Sequence, residues 1–201
     1  MKSNVAVIIL AAGQGTRMKS NKAKVLHKIA GRPMIIYVVE AAQKIAGDNI
    51  IAVIGHQAQK VRETLSGSVP LQFAYQEEQR GTAHAVQCAM PHIPDNCDEV
   101  IILCGDVPLI RSETIASLVK DHLSAARDIT LLAVELENPY GYGRVRIDEN
   151  RQVFGIVEEA DATVAGRQVS SGCRHNRKIQ DRHQPYFQLW PQPCKNVTPS
   201  R

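Results

Sequence analysis

Val5-Ala-Val-Ile-Ile-Leu10-Ala-Ala-Gly13-Gln-Gly15-Thr16-Arg17-Met18 is the stretch on which the reading of this chain turns. Val5 to Leu10 is apolar without alternation, as a strand buried on both faces must be. Small residues and two glycines follow at once. Gly13 and Gly15 admit backbone conformations and close approaches denied to other residues. Successive free N–H groups in such a loop form a nest for an anion. Arg17 adds a planar donor fork that matches phosphate, and Lys24, a little further on, supplies a mobile point charge. A bare Gly-x-Gly would read as a plain turn between strand and helix. The complete string of small residues, Thr16 and Arg17 weighs against that. The string is no Walker P-loop, since Gly-x-x-x-x-Gly-Lys-Ser/Thr is missing. It is no dinucleotide fingerprint either, since Met18 stands where the third glycine belongs.

The same pattern of apolar run and amphipathic stretch continues outward. Ile50–Ile54, Leu71–Tyr75, Val100–Cys104 and Ile129–Leu136 read as further strands. Pro33 to Ala46, with Pro in its first turn and Gly47 as its stop, reads as a helix. So do His56–Leu65, Thr82–Met90, and a segment from the N-cap Ser112 to about Ala126. Arg144–Ile147 and Val153–Val157 read as a hairpin. Strands alternating with helices predict an α/β fold with right-handed βαβ units and a mostly parallel, doubly wound sheet. Ligands bind such sheets beyond the carboxyl ends of the strands.

The other candidate motifs fall at those ends. Cys104-Gly-Asp106-Val-Pro-Leu109 closes the fourth strand, and a lone carboxylate there suits Mg²⁺, which keeps its waters and needs few protein ligands. The plainer alternative is Asp106 as a turn former. Gln76-Glu-Glu-Gln79-Arg-Gly81-Thr82 opens a helix; Gly81 would let a ligand approach the backbone and Gln76 would read a base edge, or the whole is a polar turn with a cap. Asn138-Pro-Tyr-Gly141-Tyr-Gly143-Arg144 offers a flat ring and open backbone to a sugar face, and Glu158 would accept from sugar hydroxyls; a turn explains the loop equally well. His56 and His84 read as polar helix residues rather than ligands. No Ser-His-Asp order, zinc spacing or internal repeat is found.

Composition narrows the class. The 201 residues are 44% hydrophobic and 22% charged, ordinary for a globular chain. No apolar run approaches the roughly 18 residues of a membrane span, so no membrane partner is expected. The five cysteines form no Cys-x-x-Cys pair and read as reduced thiols of a cytoplasmic protein. The net charge of +4 is unevenly placed. Residues 1–168 carry 18 Lys+Arg against 19 Asp+Glu, whereas residues 169–201 carry 6 against 1. The body is therefore not a nucleic-acid binder by charge. The last 33 residues hold four prolines and four glutamines, without helical or strand periodicity, and predict a disordered tail unpacked from the body.

Together these strings resemble one family, the uridylyltransferase domain of the bacterial bifunctional N-acetylglucosamine-1-phosphate uridylyltransferase/glucosamine-1-phosphate acetyltransferase. The resemblance runs from Val5 to about Gln168. It rests on Leu10–Met18, Lys24, Gly31-Arg-Pro-Met34, Gln76 with Gly81-Thr82-Ala-His84-Ala, Gly105-Asp106-Val-Pro-Leu109, Gly141-Tyr-Gly143-Arg144 and Gly155-Ile-Val-Glu158. It implies a Rossmann-like nucleotide-diphospho-sugar transferase fold. It implies transfer of a uridylyl group from UTP to N-acetylglucosamine 1-phosphate, giving UDP-N-acetylglucosamine for peptidoglycan and lipopolysaccharide synthesis. By position, Leu10, Ala11, Ala12, Gly13, Gly15 and Thr16 would contact nucleotide. Arg17 would hold the β/γ-phosphates and Lys24 the α-phosphate. Gln76, Gly81 and Thr82 would bind uracil and ribose, Gly143 and Glu158 the sugar, and Asp106 the Mg²⁺.

Departures bear on this. Ala23 stands where the family usually has proline. From about Val169 the resemblance stops after an echo in Ser170-Ser-Gly172. The strand, helices and late Asn metal ligand expected next do not appear, nor does the β-helix acetyltransferase domain through which the family trimerises. The expectation is an incomplete nucleotidyltransferase domain over 1–168, followed by a divergent, frameshifted tail over 169–201. Two alternatives stay open: another sugar-nucleotide or molybdopterin nucleotidyltransferase, and a non-catalytic nucleotide-binding remnant or pseudogene product.

Overall fold

The computed structural model describes residues 4–15, 18, 20–134, 142–148 and 153–157, and the backbone of 187–191. The chain divides into two units, 1–131 with 187–201, and 132–186.

The first unit is built on β1 (Val5–Ala11), β4 (Ile50–Ile54), β5 (Gln72–Tyr75) and β6 (Glu99–Cys104), with minor strands β2 (Lys28–Ile29) and β3 (Arg32–Pro33) pairing apart. The order β5-β4-β1-β6 is parallel throughout, with Ile8 opposite Ile51 on one side and Ile102 on the other. β1 is central, which is why Val5–Leu10 carries no polar position. Val7, Ile8 and Ile9 are fully buried. The pleat sends Ala6 and Ile8 to one face. There they meet Ile51, Val53 and Ala74 of the neighbouring strands and Ala85 and Ala89 of α3 (Thr82–Ala89). α1 (Met34–Ala46) packs against β1 and against α4 (Ser112–Ser124). α2 (Ala58–Leu65) follows β4 and turns Val61 and Leu65 inward.

The expected boundaries shift by a residue or two. Pro33 caps α1 and Gly47, at φ +58°, ends it. Arg111 rather than Ser112 occupies the N-cap of α4; Ser112 Oγ donates instead to Glu113 Oε1 at 3.1 Å. Of the strand expected over Ile129–Leu136, Thr130–Leu132 forms β7, and residues 135–136 lie outside the described residues. One packing device has no sequence signature. Buried His122 of α4 places Nδ1 2.9 Å from Thr130 Oγ1 and Nε2 3.0 Å from Glu99 Oε2, tying the helix to both strands.

Of the span expected to be an unpacked tail, one stretch pairs with the sheet, and 169–186 and 192–201 lie outside the described residues. Phe187–Pro191 forms β10, antiparallel to β6, with Leu189 opposite Ile101, and the sheet order becomes β5-β4-β1-β6-β10-β7. The physical reason is the second edge of β6. An apolar strand left unpaired there would present a row of free N–H and C=O groups, and β10 supplies them with partners. Pro191, which lacks an N–H, sits at the strand's last residue, where least is lost.

In the second unit β8 (Arg144–Ile147) and β9 (Val153–Val157) pair antiparallel, as the sequence predicts. Arg146 lies over the Phe154 ring at 4.7 Å.

Candidate nucleotide site

The carboxyl ends of β1, β4, β5 and β6 bring together segments far apart in the chain. The turn after β1 starts with Ala12, whose carbonyl accepts from the backbone N–H of His56 at 3.1 Å and from Gln79 Nε2 at 2.8 Å. Two donors on one carbonyl fix that peptide plane. In a trans peptide the following N–H points the opposite way, so the Gly13 N–H faces away from these partners. A side-chain atom built on Gly13 would meet nothing within 4 Å, so open space lies there.

Gly15 is the opposite case. Its φ is +66°, and a Cβ would stand 2.7 Å from Lys24 Cβ. The loop can close only if this residue has no side chain, and closing it seats Lys24. Ala23 is fully buried, and a 3₁₀ turn over Lys24–Leu26 buries Val25 and Leu26. The lysine stem is thus anchored while Nζ reaches across to Asp106 Oδ2 at 2.6 Å. Lys24 and Asp106 both keep part of their surface open to solvent.

Asp106 is no turn former. The turn is held by backbone bonds, Val107 N–H to Cys104 O at 3.3 Å and Ile110 N–H to Val107 O at 3.3 Å. Gly105 N–H donates to Leu10 O at 2.9 Å, drawing the end of β6 onto β1. The carboxylate is left to Lys24. Among the described residues no group of three or more His, Cys, Asp or Glu side chains gathers as a metal site. Mg²⁺ needs only one or two carboxylates when phosphate oxygens and water complete its shell. Asp106, a hard oxygen donor at a strand end, fits that role. The neighbouring Cys104 thiol is pushed up to about 11, by burial first and by Asp106 second, with Lys24 opposing.

On the other flank, Gln76 is buried and its Nε2 donates to Gly81 O at 2.9 Å. That bond fixes the amide and assigns Oε1 as its acceptor end. His84 Nδ1 lies 3.2 Å from Gln76 Nε2 and 3.0 Å from Glu78 O, so His84 supports Gln76 from behind.

Two supports escape sequence reasoning. At Gly55 a Cβ would stand 2.8 Å from Gln76 O and 3.0 Å from Ala12 Cβ, so the β1, β4 and β5 ends converge only around a glycine. Its signal was visible, a glycine directly after a buried strand, as at Gly105. Gln57 had none. Of the predicted set, the first unit brings together Leu10, Ala11, Ala12, Gly13, Gly15, Lys24, Gln76, Gly81, Thr82 and Asp106 at one end of the sheet. Gly143 leads into β8 in the second unit. Thr16, Arg17 and Glu158 lie outside the described residues. A groove of about 670 Å³ between α1 and α4, lined by Val5, Lys44 and Leu123 among others, sits at the amino end of β1 and shares no residue with this set.

Comparison with known proteins decides the family. The family model described as the MobA-like NTP transferase domain matches residues 7–176. The chain belongs to that family of nucleotidyltransferases. It is 49% identical over 172 residues to the "Bifunctional protein GlmU" of Pelobacter propionicus, covering 84% of this chain and 37% of that protein. The protein of the same name from Geobacter sulfurreducens is 48% identical over 160 residues, covering 80% and 34%. The chain thus spans little more than a third of the length of these curated relatives. Among solved structures, a Bacillus anthracis protein described as a glucose-1-phosphate thymidylyltransferase superposes with a TM-score of 0.72 at 20% identity, covering 93% of this chain and 71% of that one. HddC from Yersinia pseudotuberculosis, complexed with GMP-PN, gives 0.67 at 23% identity, covering 92% and 76%. These two establish the Rossmann-like fold. Among the described residues no helix is long and apolar enough to cross a membrane.

Proposed function

We propose that this chain carries the uridylyl-transfer site for UTP and N-acetylglucosamine 1-phosphate, with pyrophosphate as the second product. The observation that carries the reading is the Lys24–Asp106 pair, 2.6 Å apart beside Gly15, where the carboxyl ends of β1 and β6 meet. One cation and one hard anion beside a glycine loop suit a nucleoside triphosphate with its metal.

The reaction needs no protein nucleophile. A sugar-phosphate oxygen attacks the α-phosphorus in line, and pyrophosphate leaves. The protein's part is positioning and electrostatics. Lys24 would exchange Asp106 for the α-phosphate, and Arg17 would hold the β/γ-phosphates. The backbone from Leu10 to Thr16 would line the nucleotide. Asp106 would hold Mg²⁺, which when bound neutralises charge developing on the phosphates. Gln76 Oε1 would accept the N3–H of uracil, an arrangement that opposes cytosine, whose N3 is an acceptor. Gly81 and Thr82 would flank uracil and ribose, and Gly143 and Glu158 would take the acetylamino sugar. On this reading residues 1–168 form the nucleotidyltransferase domain, working in the cytoplasm on precursors of peptidoglycan and lipopolysaccharide.

The test is pyrophosphate release by the 201-residue chain with Mg²⁺, UTP and N-acetylglucosamine 1-phosphate, each replaced in turn by other nucleotides and sugar phosphates. The expected preference is for uracil over cytosine and for the acetylated sugar. UTP binding without turnover would favour the nucleotide-binding remnant. A preference for GTP or CTP would favour another nucleotidyltransferase of the family.

A further inference from the structure

Gln57 takes no part in the chemistry just described, yet it occupies an unusual place. It lies at the N-cap of α2 with φ +54° and ψ +37°, the left-handed region that a non-glycine residue enters only at a cost. Such an outlier persists where surrounding contacts enforce it. Here the contacts are made by its own side chain. Gln57 Oε1 accepts the backbone N–H of Ala23 at 3.2 Å, and Gln57 Nε2 donates to the backbone carbonyl of Asn21. One amide therefore grips the backbone on both sides of Lys22. Its orientation is unambiguous, since a flipped amide would set oxygen against carbonyl and NH₂ against N–H.

The gripped segment leads straight into Lys24. Downstream, buried Val25 and Leu26 fix the chain. Upstream, the bond from Lys22 N–H to Ser20 Oγ is local and anchors nothing to the sheet. Gln57 supplies that anchor from the β4–α2 corner, next to His56, whose N–H holds the Ala12 carbonyl. The same corner thus braces both the glycine loop and the lysine segment.

We infer that Gln57 is a positioning residue for nucleotidyl transfer, clamping the backbone at Asn21 and Ala23 so that the Lys24 ammonium is held opposite Asp106 before the nucleotide arrives. The inference rests on the proposed role of Lys24. It makes a further, sharper statement about Ala23. Its φ of −53° is one proline adopts freely. Proline there would lose the N–H that Gln57 accepts, and its ring would occupy the space of the Gln57 oxygen. With Gln57 shortened to alanine, proline would restore by ring stiffness what the clamp supplied. The two substitutions should therefore compensate each other.

The experiment uses the full chain with Gln57→Ala, Gln57→Glu, Ala23→Pro and the double variant Gln57→Ala/Ala23→Pro. It measures kcat and KM for UTP, thermal stability, and amide exchange of the Ala23 N–H. Gln57→Ala should lower kcat/KM for UTP roughly 10–100-fold, the scale on which misplacing a catalytic charge acts. Its Ala23 amide should exchange roughly tenfold faster, the size of one lost hydrogen bond. Gln57→Glu, which keeps the acceptor but sets a second oxygen against the Asn21 carbonyl, should fall between. The double variant should recover most of the loss in kcat/KM, which a merely structural role for Gln57 would not produce. Wild-type kinetics in Gln57→Ala, or a double variant worse than either single, overturns the inference while leaving the nucleotidyl-transfer reading intact. A wild-type chain that neither binds nor turns over UTP overturns that reading and the inference with it.

Discussion

Lys24 Nζ stands 2.6 Å from Asp106 Oδ2, and on the proposed reading each group gives up the other when a metal–triphosphate binds. The pair is partly exposed, so it contributes only about 0–1 kcal/mol to stability. It is cheap to open. The pair holds the ammonium at the glycine loop and gives each charge a partner.

Asp106→Asn separates the pairing of the carboxylate with Lys24 from its proposed role as metal ligand. Asn keeps the shape, and the turn is made by backbone bonds, so thermal stability should change little. Lys24 is released, and a negative charge is removed from beside the phosphates. UTP should bind several-fold more tightly without Mg²⁺, whereas the gain on adding Mg²⁺ should shrink by tenfold or more. Calorimetric titration of UTP with and without the metal reads both. An unaltered magnesium response would exclude Asp106 as the metal ligand.

Gly15→Ala tests the seating of Lys24. The left-handed backbone costs an alanine about 1–2 kcal/mol, and the added methyl would stand 2.7 Å from Lys24 Cβ. The loop and the lysine cannot both stay in place. UTP affinity should fall by roughly tenfold or more. Urea unfolding should report a loss of about 1–3 kcal/mol. Gly13→Ala is the control, since open space surrounds that position; equal stability losses in the two variants would refute the close approach.

Cys104 gives the chain an alkaline limit. Its thiol is raised from about 9 to about 11 in the folded state, so the native protein holds this proton more tightly than the unfolded chain. The contribution is complete below pH 9 and is lost as pH climbs from about 9 to about 11. Two pH units correspond to about 2–3 kcal/mol. Urea unfolding across that range should fall more steeply for the wild type than for Cys104→Ala. Parallel curves would show that the thiol is not buried beside Asp106.

The core of the fold was legible because β1, β4 and β6 are buried on both faces and so lack polar interruptions. Such runs have few other readings once glycines follow them. Arg144–Ile147 and Val153–Val157 were legible through their own turn. Lys24 and Asp106 were legible as candidates by residue type, and the fold sets them 2.6 Å apart. Gln57 was not, because its work is done by a side-chain amide on backbone atoms of a distant segment, and no spacing marks that. His122 was not, because its partners Glu99 and Thr130 come from two other elements. β10 was not, because Phe187–Pro191 becomes a strand through the edge it pairs with, and its sequence lacks strand periodicity. Propensity is a weak prior where a ready template exists.

That template yields the final prediction. β10 lies between β6 and β7, and its backbone pairs with Glu99, Val100, Ile101 and Ile102. Removing residues 187–201 would leave that side of β6 without its partner, beside one of the most apolar strands of the sheet. Exposed edges of this kind recruit other chains. The shortened chain should therefore unfold at a lower temperature than the full one and aggregate on concentration, and the amides of β6 that face β10 should exchange faster. Adding the missing segment back as a separate peptide should restore protection at those amides before it restores thermal stability, because pairing without covalent connection carries the full entropy of association. Equal melting temperatures and unchanged exchange across Val100–Ile102 in the shortened chain would show that β10 contributes nothing, and that β6 tolerates an open edge.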